Sequence, residues 1–206
     1  MLFPVTCPLC RTTGSAPCAA CIEMLVPGRV VHSIDGLRSC RALVEYDACG
    51  AELVHGLKYR NARRLLPWVG QAMSELVPAE VDVITWAPTS SSHRRERGFD
   101  QAYLLAKAIS RCTRISCRPL LVRVGHRSQT GLGRQERLTG VQFRARQVHG
   151  LRVLLVDDVV TTGATLSAAS AALDRQGVDA VHGVVMARTP DEGPLALAGK
   201  KAYSSG

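Results

Sequence analysis

The segment Leu154-Leu-Val-Asp157-Asp158-Val-Val-Thr161-Thr162-Gly163-Ala164-Thr165 holds the residues best placed to do chemistry. An apolar run delivers two carboxylates at its end, where open α/β sheets bind ligands. Small hydroxylated residues around a glycine then open a helix, whose first N–H groups and positive end favour an anion. Thr161, Thr162 and Thr165 add hydroxyl donors, and Gly163 lets the backbone approach closely. The carboxylates would repel a phosphate, so they must face hydrogen-bond donors or a cation, such as ribose hydroxyls or Mg²⁺. A ribose 5-phosphate unit satisfies both halves of the loop at once. Two plainer readings compete. Paired Asp after a strand also marks phosphoacceptor receiver domains, but there the pair lies near the N-terminus and no T-T-G-x-T follows. The other is an ordinary strand–turn–helix capped by Thr161 or Thr162.

A second cluster lies at the start of the chain, as Cys7-Pro-Leu-Cys10 and Cys18-Ala-Ala-Cys21. Each C-x2-C pair can place two thiolates on one metal, and two pairs complete a tetrahedral all-sulfur shell suited to Zn²⁺. So short a segment cannot bury its own core, and the metal would supply most of its folding energy. Redox-active pairs or two disulfides are the alternatives; doubled motifs at a terminus favour zinc. Cys40, Cys49, Cys112 and Cys117 show no such pattern and read as buried small side chains.

The net charge of +9 is unevenly placed. Residues 93–152 hold fourteen basic and three acidic side chains, so that block alone carries +11. A one-sided cationic block fits an anionic partner such as a polyphosphate or nucleic acid, or else a solvated basic surface. Arg94, Arg95 and Arg97, in the loop S-S-S-H-R-R-E-R-G, are placed in sequence to stabilise a departing pyrophosphate, and Lys58 in Lys58-Tyr-Arg60 is a second candidate. With 46% hydrophobic, 21% charged and 4% aromatic residues, collagen-like, disordered and disulfide-miniprotein classes drop out. No run approaches the roughly 18 apolar residues of a membrane helix. The start MLFPVTCPLC lacks a basic stretch followed by an apolar run. A soluble, cytoplasmic protein is expected.

The elements that must position these groups alternate in type. Strands are predicted at 42–46, 81–86, 151–156 and 180–187, with helices at 49–57, 62–77, 99–112 and 164–176. Pro67 suits the first turn of the second helix. The stretch 27–41 reads as loop, and 123–150, rich in Arg and Gly, as a lid or a surface linker. The expected fold is α/β, a mainly parallel sheet flanked by helices. It divides into a zinc module over 1–35, a main domain over 36–190 and a loose tail over 191–206.

The strand–loop segment resembles the signature of type I phosphoribosyltransferases. The resemblance implies that Asp157 and Asp158 hold the ribose hydroxyls and carry catalysis. It also implies that Thr161, Thr162, Gly163, Ala164 and Thr165 bind the 5-phosphate of phosphoribosyl pyrophosphate, with Mg²⁺ as cofactor. L-K-Y-R (57–60), R-R-E-R-G-F-D-Q-A (94–102) and Q-T-G-L-G-R-Q-E-R (129–137) follow the cysteine pairs in an order that resembles the ComF family. That family usually has Asn where Asp100 stands, Asn near Gly140, and Pro-Val-Pro where Trp86-Ala-Pro88 stands. The function implied is phosphoribosyl transfer, a pentosyl-group transfer, to an acceptor that no motif identifies. The alternative is an accessory role in single-stranded DNA uptake with the DNA-uptake machinery, as in natural transformation. Few aromatics, chiefly Phe99, Tyr103 and Phe143, stand in the basic block to stack bases. A third reading uses the ribose-phosphate pocket purely as a sensor.

Overall fold

The computed structural model describes residues 5–31, 34–59, 63–90, 92, 94–95, 98–124 and 141–190. Arg97, the tail over 191–206 and residues 125–140 of the lid reading lie outside the described residues.

The centre of the molecule is β5 (Arg152–Val160), flanked by β6 (Ala180–Arg188) and β2 (Val83–Trp86). With β1 (Ser39–Glu45) they make a parallel sheet in the order β1-β6-β5-β2. Val153, Leu154, Leu155 and Val156 are all fully buried. That explains their unbroken apolar run, since a parallel strand is covered on both faces.

Successive residues face opposite layers. Leu154 and Val156 meet α2 (Ala48–Tyr59), α3 (Leu66–Ser74) and α4 (Gln101–Thr113) through Leu57, Val69, Met73, Leu105 and Ile109. Val153 and Leu155 meet α5 (Ala164–Asp174) and an antiparallel ribbon of β3 (Leu121–Val124) and β4 (Gln142–Ala145), through Leu166, Leu173, Leu121 and Phe143. Among the described residues no helix is long and apolar enough to cross a membrane.

The α/β architecture matches expectation, but several boundaries do not. β5 continues through Asp157 to Val160, because β6 is equally long and pairs with it up to Arg188. The helix expected over 62–77 starts as a single 3₁₀ turn at Arg63–Leu65, and α3 then follows with Pro67 in its first turn, as expected. The stretch expected as loop over 27–41 is partly paired. Gly28 and Val31 N–H donate to Leu43 and Cys40 carbonyls, and Glu45 N–H donates to Val26 O, so residues 26–31 run antiparallel along β1. Within 123–150 the ribbon was hidden in the sequence, because two four-residue strands carry too little alternation to register. Cys112, expected to be buried, is exposed.

The N-terminal four-cysteine module contains the one-turn α1 (Ala19–Glu23), which Cys18 precedes. Its continuation is fastened to the sheet by a buried ion pair. Arg188 Nε lies 3.1 Å from Glu45 Oε2. Glu45 Oε1 accepts the Arg29 N–H, and Arg188 donates to Val30 O. These bonds tie the module to the C-terminal ends of β1 and β6, the end of the sheet at which Asp157 and Asp158 also lie.

Candidate ribose-phosphate site

Two adjacent carboxylates on a strand must point to opposite faces. Asp157 turns to the α5 side, where its charge and, more strongly, burial push the Cys40 thiol up to about 12. Asp158 turns to the α2 side, where Lys58 Nζ meets its Oδ2 at 2.9 Å. α2 runs on to Tyr59, so Lys58 sits in its last turn, where the helix dipole favours a cation. Asp157 Oδ1 accepts the Asp158 N–H at 2.8 Å. Burial, then the Asp158 charge, still hold the Asp157 carboxyl well above the usual carboxylate range.

The chain leaves β5 through Thr161 and Thr162, both exposed, into the turn that starts α5. Gly163 has φ of 76°, and a Cβ there would lie 3.0 Å from Ile34 Cγ1. The left-handed φ favours glycine, and a Cβ would in addition press on the Ile34 side chain. Thr162 Oγ1 accepts the Ala164 N–H at 3.4 Å. Asp157 and residues 159–166 line a small hollow of about 50 Å³ around this helix start. It adjoins a larger cleft of about 210 Å³ lined by Lys58, Thr89, Asp100, Arg123, Asp157, Asp158 and Thr165, among others. Asp157, Val159 and Thr165 border both.

Of the residues singled out in the sequence, Lys58, Asp157, Asp158 and the whole loop 161–165 are therefore brought together. Arg94 and Arg95 are exposed and do not line the cleft. Asp100 and Arg123 are cleft residues that the sequence reading did not select. Asp100 precedes α4 as its N-cap, a pattern legible as Asp directly before a helical run. Its carboxyl is raised above the usual range by burial, against the opposing pull of the Thr89 and Tyr103 N–H groups. Arg123 had no such signal, because the strand that carries it is so short.

The four cysteines form a separate cluster. Their Sγ atoms all lie within 4.8 Å of one another, and Cys10 and Cys18 are 3.6 Å apart. Sulfurs about 2.3 Å from a tetrahedral zinc are separated by just under 4 Å. The Cys18 N–H points to Cys7 Sγ at 3.5 Å, a donor suited to thiolate. Cys7, Cys10, Cys18 and Cys21 can hold one metal ion such as zinc.

The sequence profile of the phosphoribosyl transferase domain matches residues 97–204, just over half of the chain. The chain belongs to the phosphoribosyl transferase domain family. The match takes in both carboxylates and the 161–165 loop. Competence protein ComFC of Bacillus subtilis (strain 168) is 29% identical over 178 residues, covering 83% of this chain and 72% of the relative. DNA utilization protein YhgH of Escherichia coli (strain K12) is 26% identical over 208 residues, covering 89% of this chain and 84% of the relative. The ComF resemblance of the motif order stands with these relatives. Among solved structures, a glutamine phosphoribosylpyrophosphate amidotransferase from B. subtilis is 21% identical, with a TM-score of 0.45 over 60% of this chain. The match spans about a quarter of that chain, 26%.

The half-buried Asp157 gives a sign for stability. A folded-state pKa above the unfolded one means the folded protein binds the extra proton, so this carboxyl lowers stability as pH rises from about 4 toward its folded value. Asp157→Asn keeps the acceptor for the Asp158 N–H and removes the charge. Its Tm at neutral pH should exceed that of the wild type, by about 2–4 °C for each kcal/mol relieved. Thermal melts at pH 4 and pH 7.5 check this: the gap should shrink at the lower pH, and a lower Tm for the variant at pH 7.5 contradicts it.

Proposed function

We propose that the cleft binds phosphoribosyl pyrophosphate with Mg²⁺ and that the protein transfers the phosphoribosyl group to an acceptor, releasing pyrophosphate. The observation that carries this reading is the shared border of the two hollows. Asp157 and Thr165 belong both to the anion-sized hollow at the start of α5 and to the cleft with Asp158 and Lys58. One ligand with a phosphate at one end and hydroxyls at the middle fits that sequence of groups. The loop from Thr161 to Thr165 takes the 5-phosphate on its N–H and hydroxyl donors. Asp157 and Asp158 accept hydrogen bonds from the ribose hydroxyls, which favour the charged form of Asp157 against its desolvation.

Lys58 and Arg123 are the cations that line the cleft and face the diphosphate. Arg94 and Arg95, and Arg97 on sequence grounds, gather the anion at the rim. Carboxylate oxygens are hard donors suited to Mg²⁺, which would draw negative charge from the leaving pyrophosphate. As the bond from the anomeric carbon to the pyrophosphate oxygen breaks, its electron pair leaves with the pyrophosphate. The ribosyl centre then carries positive charge, which the flanking carboxylates stabilise.

Isothermal titration with Mg²⁺ and phosphoribosyl pyrophosphate tests the pocket. The wild type should bind, and the double variant Asp157→Asn, Asp158→Asn should lose at least tenfold in affinity. Equal binding by the two proteins contradicts the assignment. Pyrophosphate release across a panel of bases and amines then tests transfer. Binding without release to any acceptor favours the second reading, in which the domain serves the handling of single-stranded DNA. The names of the relatives support that reading, as do the exposed Arg111, Arg114, Arg118, Arg144 and Arg146 on α4 and around the ribbon. Phosphates contacted by such residues would make binding fall steeply with salt.

We propose further that Cys7, Cys10, Cys18 and Cys21 hold a structural zinc. The reduced protein should carry one Zn²⁺ per chain by elemental analysis. A chelator that removes it should unfold the module, read as new proteolytic cleavage before residue 31. Reduced, folded protein without stoichiometric zinc rules the site out.

A further inference from the structure

The peptide that joins Pro88 to Thr89 is held at both ends by side chains from different elements. At its N–H end, Asp100 Oδ2 accepts the Thr89 N–H at 3.1 Å. At its C=O end, Arg123 donates to Pro88 O at 3.4 Å. The loop that contains it follows β2 directly, the Ala87 N–H donates to Val156 O at 3.0 Å, and Ala87, Pro88 and Thr89 line the cleft beside Asp157 and Asp158.

Neither grip is a surface accident. Asp100 is 8% exposed, and its other oxygen accepts the Tyr103 N–H at 3.3 Å, capping α4. One carboxylate therefore ties the start of a core helix to the wall of the cleft. A residue serving as cap alone would need only the bond to Tyr103. Arg123 rises from β3, and its guanidinium lies 5.8 Å from the centre of the Phe143 ring. Phe143 is itself 5% exposed, across the ribbon from Arg123, so the guanidinium rests on a fixed platform. Guanidinium carries five N–H donors, and among the described residues its one long bond, to Pro88, leaves the others for an anion in the cleft.

We propose that Asp100 and Arg123 are positioning residues that clamp the Pro88–Thr89 peptide from its two ends and so set the wall against which the diphosphate of the ligand is held. The inference rests on the phosphoribosyl pyrophosphate reading of the cleft. It also gives Asp100 a definite use. The carboxylate is turned to two backbone N–H groups instead of toward the diphosphate, so its charge is spent on the wall.

Two readouts separate the clamp from the ligand reading. The first is amide hydrogen exchange at Thr89 in the free protein, followed by NMR. Asp100→Ala should speed it at least tenfold. Arg123→Met should speed it as well, although Arg123 does not touch that N–H, because the peptide loses its other anchor. Asp100→Asn, which keeps an acceptor oxygen without the charge, should stay within about threefold of wild type. The second readout is affinity for phosphoribosyl pyrophosphate with Mg²⁺. It should fall at least tenfold in Asp100→Ala and Arg123→Met and stay within about threefold in Asp100→Asn. If Asp100→Ala does not fold, Thr89 exchange in Arg123→Met still decides the clamp; affinity in that variant is no substitute, because Arg123 also faces the diphosphate.

Unchanged Thr89 exchange in Arg123→Met overturns the two-ended clamp. Faster exchange with unchanged affinity in both variants overturns its role in binding. Wild-type protein that exchanges Thr89 slowly yet fails to bind the ligand overturns the proposed function and, with it, the clamp's role in binding, while leaving the clamp's geometry standing.

Discussion

Two carboxylates at the end of a strand buried on both faces impose the constraint from which the rest of the site follows. β5 is held by four fully buried apolar residues in succession, Val153 to Val156. At roughly 1.5–3 kcal/mol for each large apolar side chain taken from water, that run outweighs the cost of bringing an acidic pair to its end. The price of the arrangement appears at Asp157, whose carboxyl is driven up by burial. Natural sequences keep such a group where a ligand will answer it. The alternation of a strand then divides the labour. Asp158 reaches the helix face and finds Lys58, whereas Asp157 reaches the α5 face, near the 161–165 loop.

The surrounding elements meet at the same end of the sheet for topological reasons. Parallel strands bring all their C-terminal ends together, so the loop after β2, the turn after β5 and the Glu45–Arg188 pair at the ends of β1 and β6 become neighbours. The N-terminal module reaches that end through the antiparallel stretch 26–31. The ribbon of β3 and β4 closes the remaining side and delivers Arg123 to the cleft. Among the described residues the cationic excess of 93–152 is thus not one surface. Arg123 faces the cleft, while Arg94, Arg95, Arg111, Arg118 and Arg144 are exposed.

Much of this was legible in the sequence where the signal was local. The apolar run before Asp157, the T-T-G-x-T turn and the doubled C-x2-C pairs each specify their geometry within fifteen residues. Long amphipathic helices were legible for the same reason. What escaped was long-range. The pairing of 26–31 with β1 depends on partners nine to nineteen residues away, and the ribbon pairs Val124 with Gln142, 18 positions on. Asp100 was visible as a departure from a family pattern. Its hold on Thr89, eleven residues earlier, could be seen only in three dimensions.

The central claim is that Asp157 is a half-buried carboxylate, raised by desolvation, that meets a hydroxyl-bearing, metal-accompanied ligand. The direct measurement is an NMR titration of the Asp157 side-chain carboxyl carbon, without and with Mg²⁺ and phosphoribosyl pyrophosphate. The free protein should titrate well above the usual carboxylate range, and the ligand should pull the midpoint down as donors and positive charge reach the carboxylate. An Asp157 that titrates as an ordinary surface carboxylate, with a midpoint indifferent to the ligand, would contradict the account.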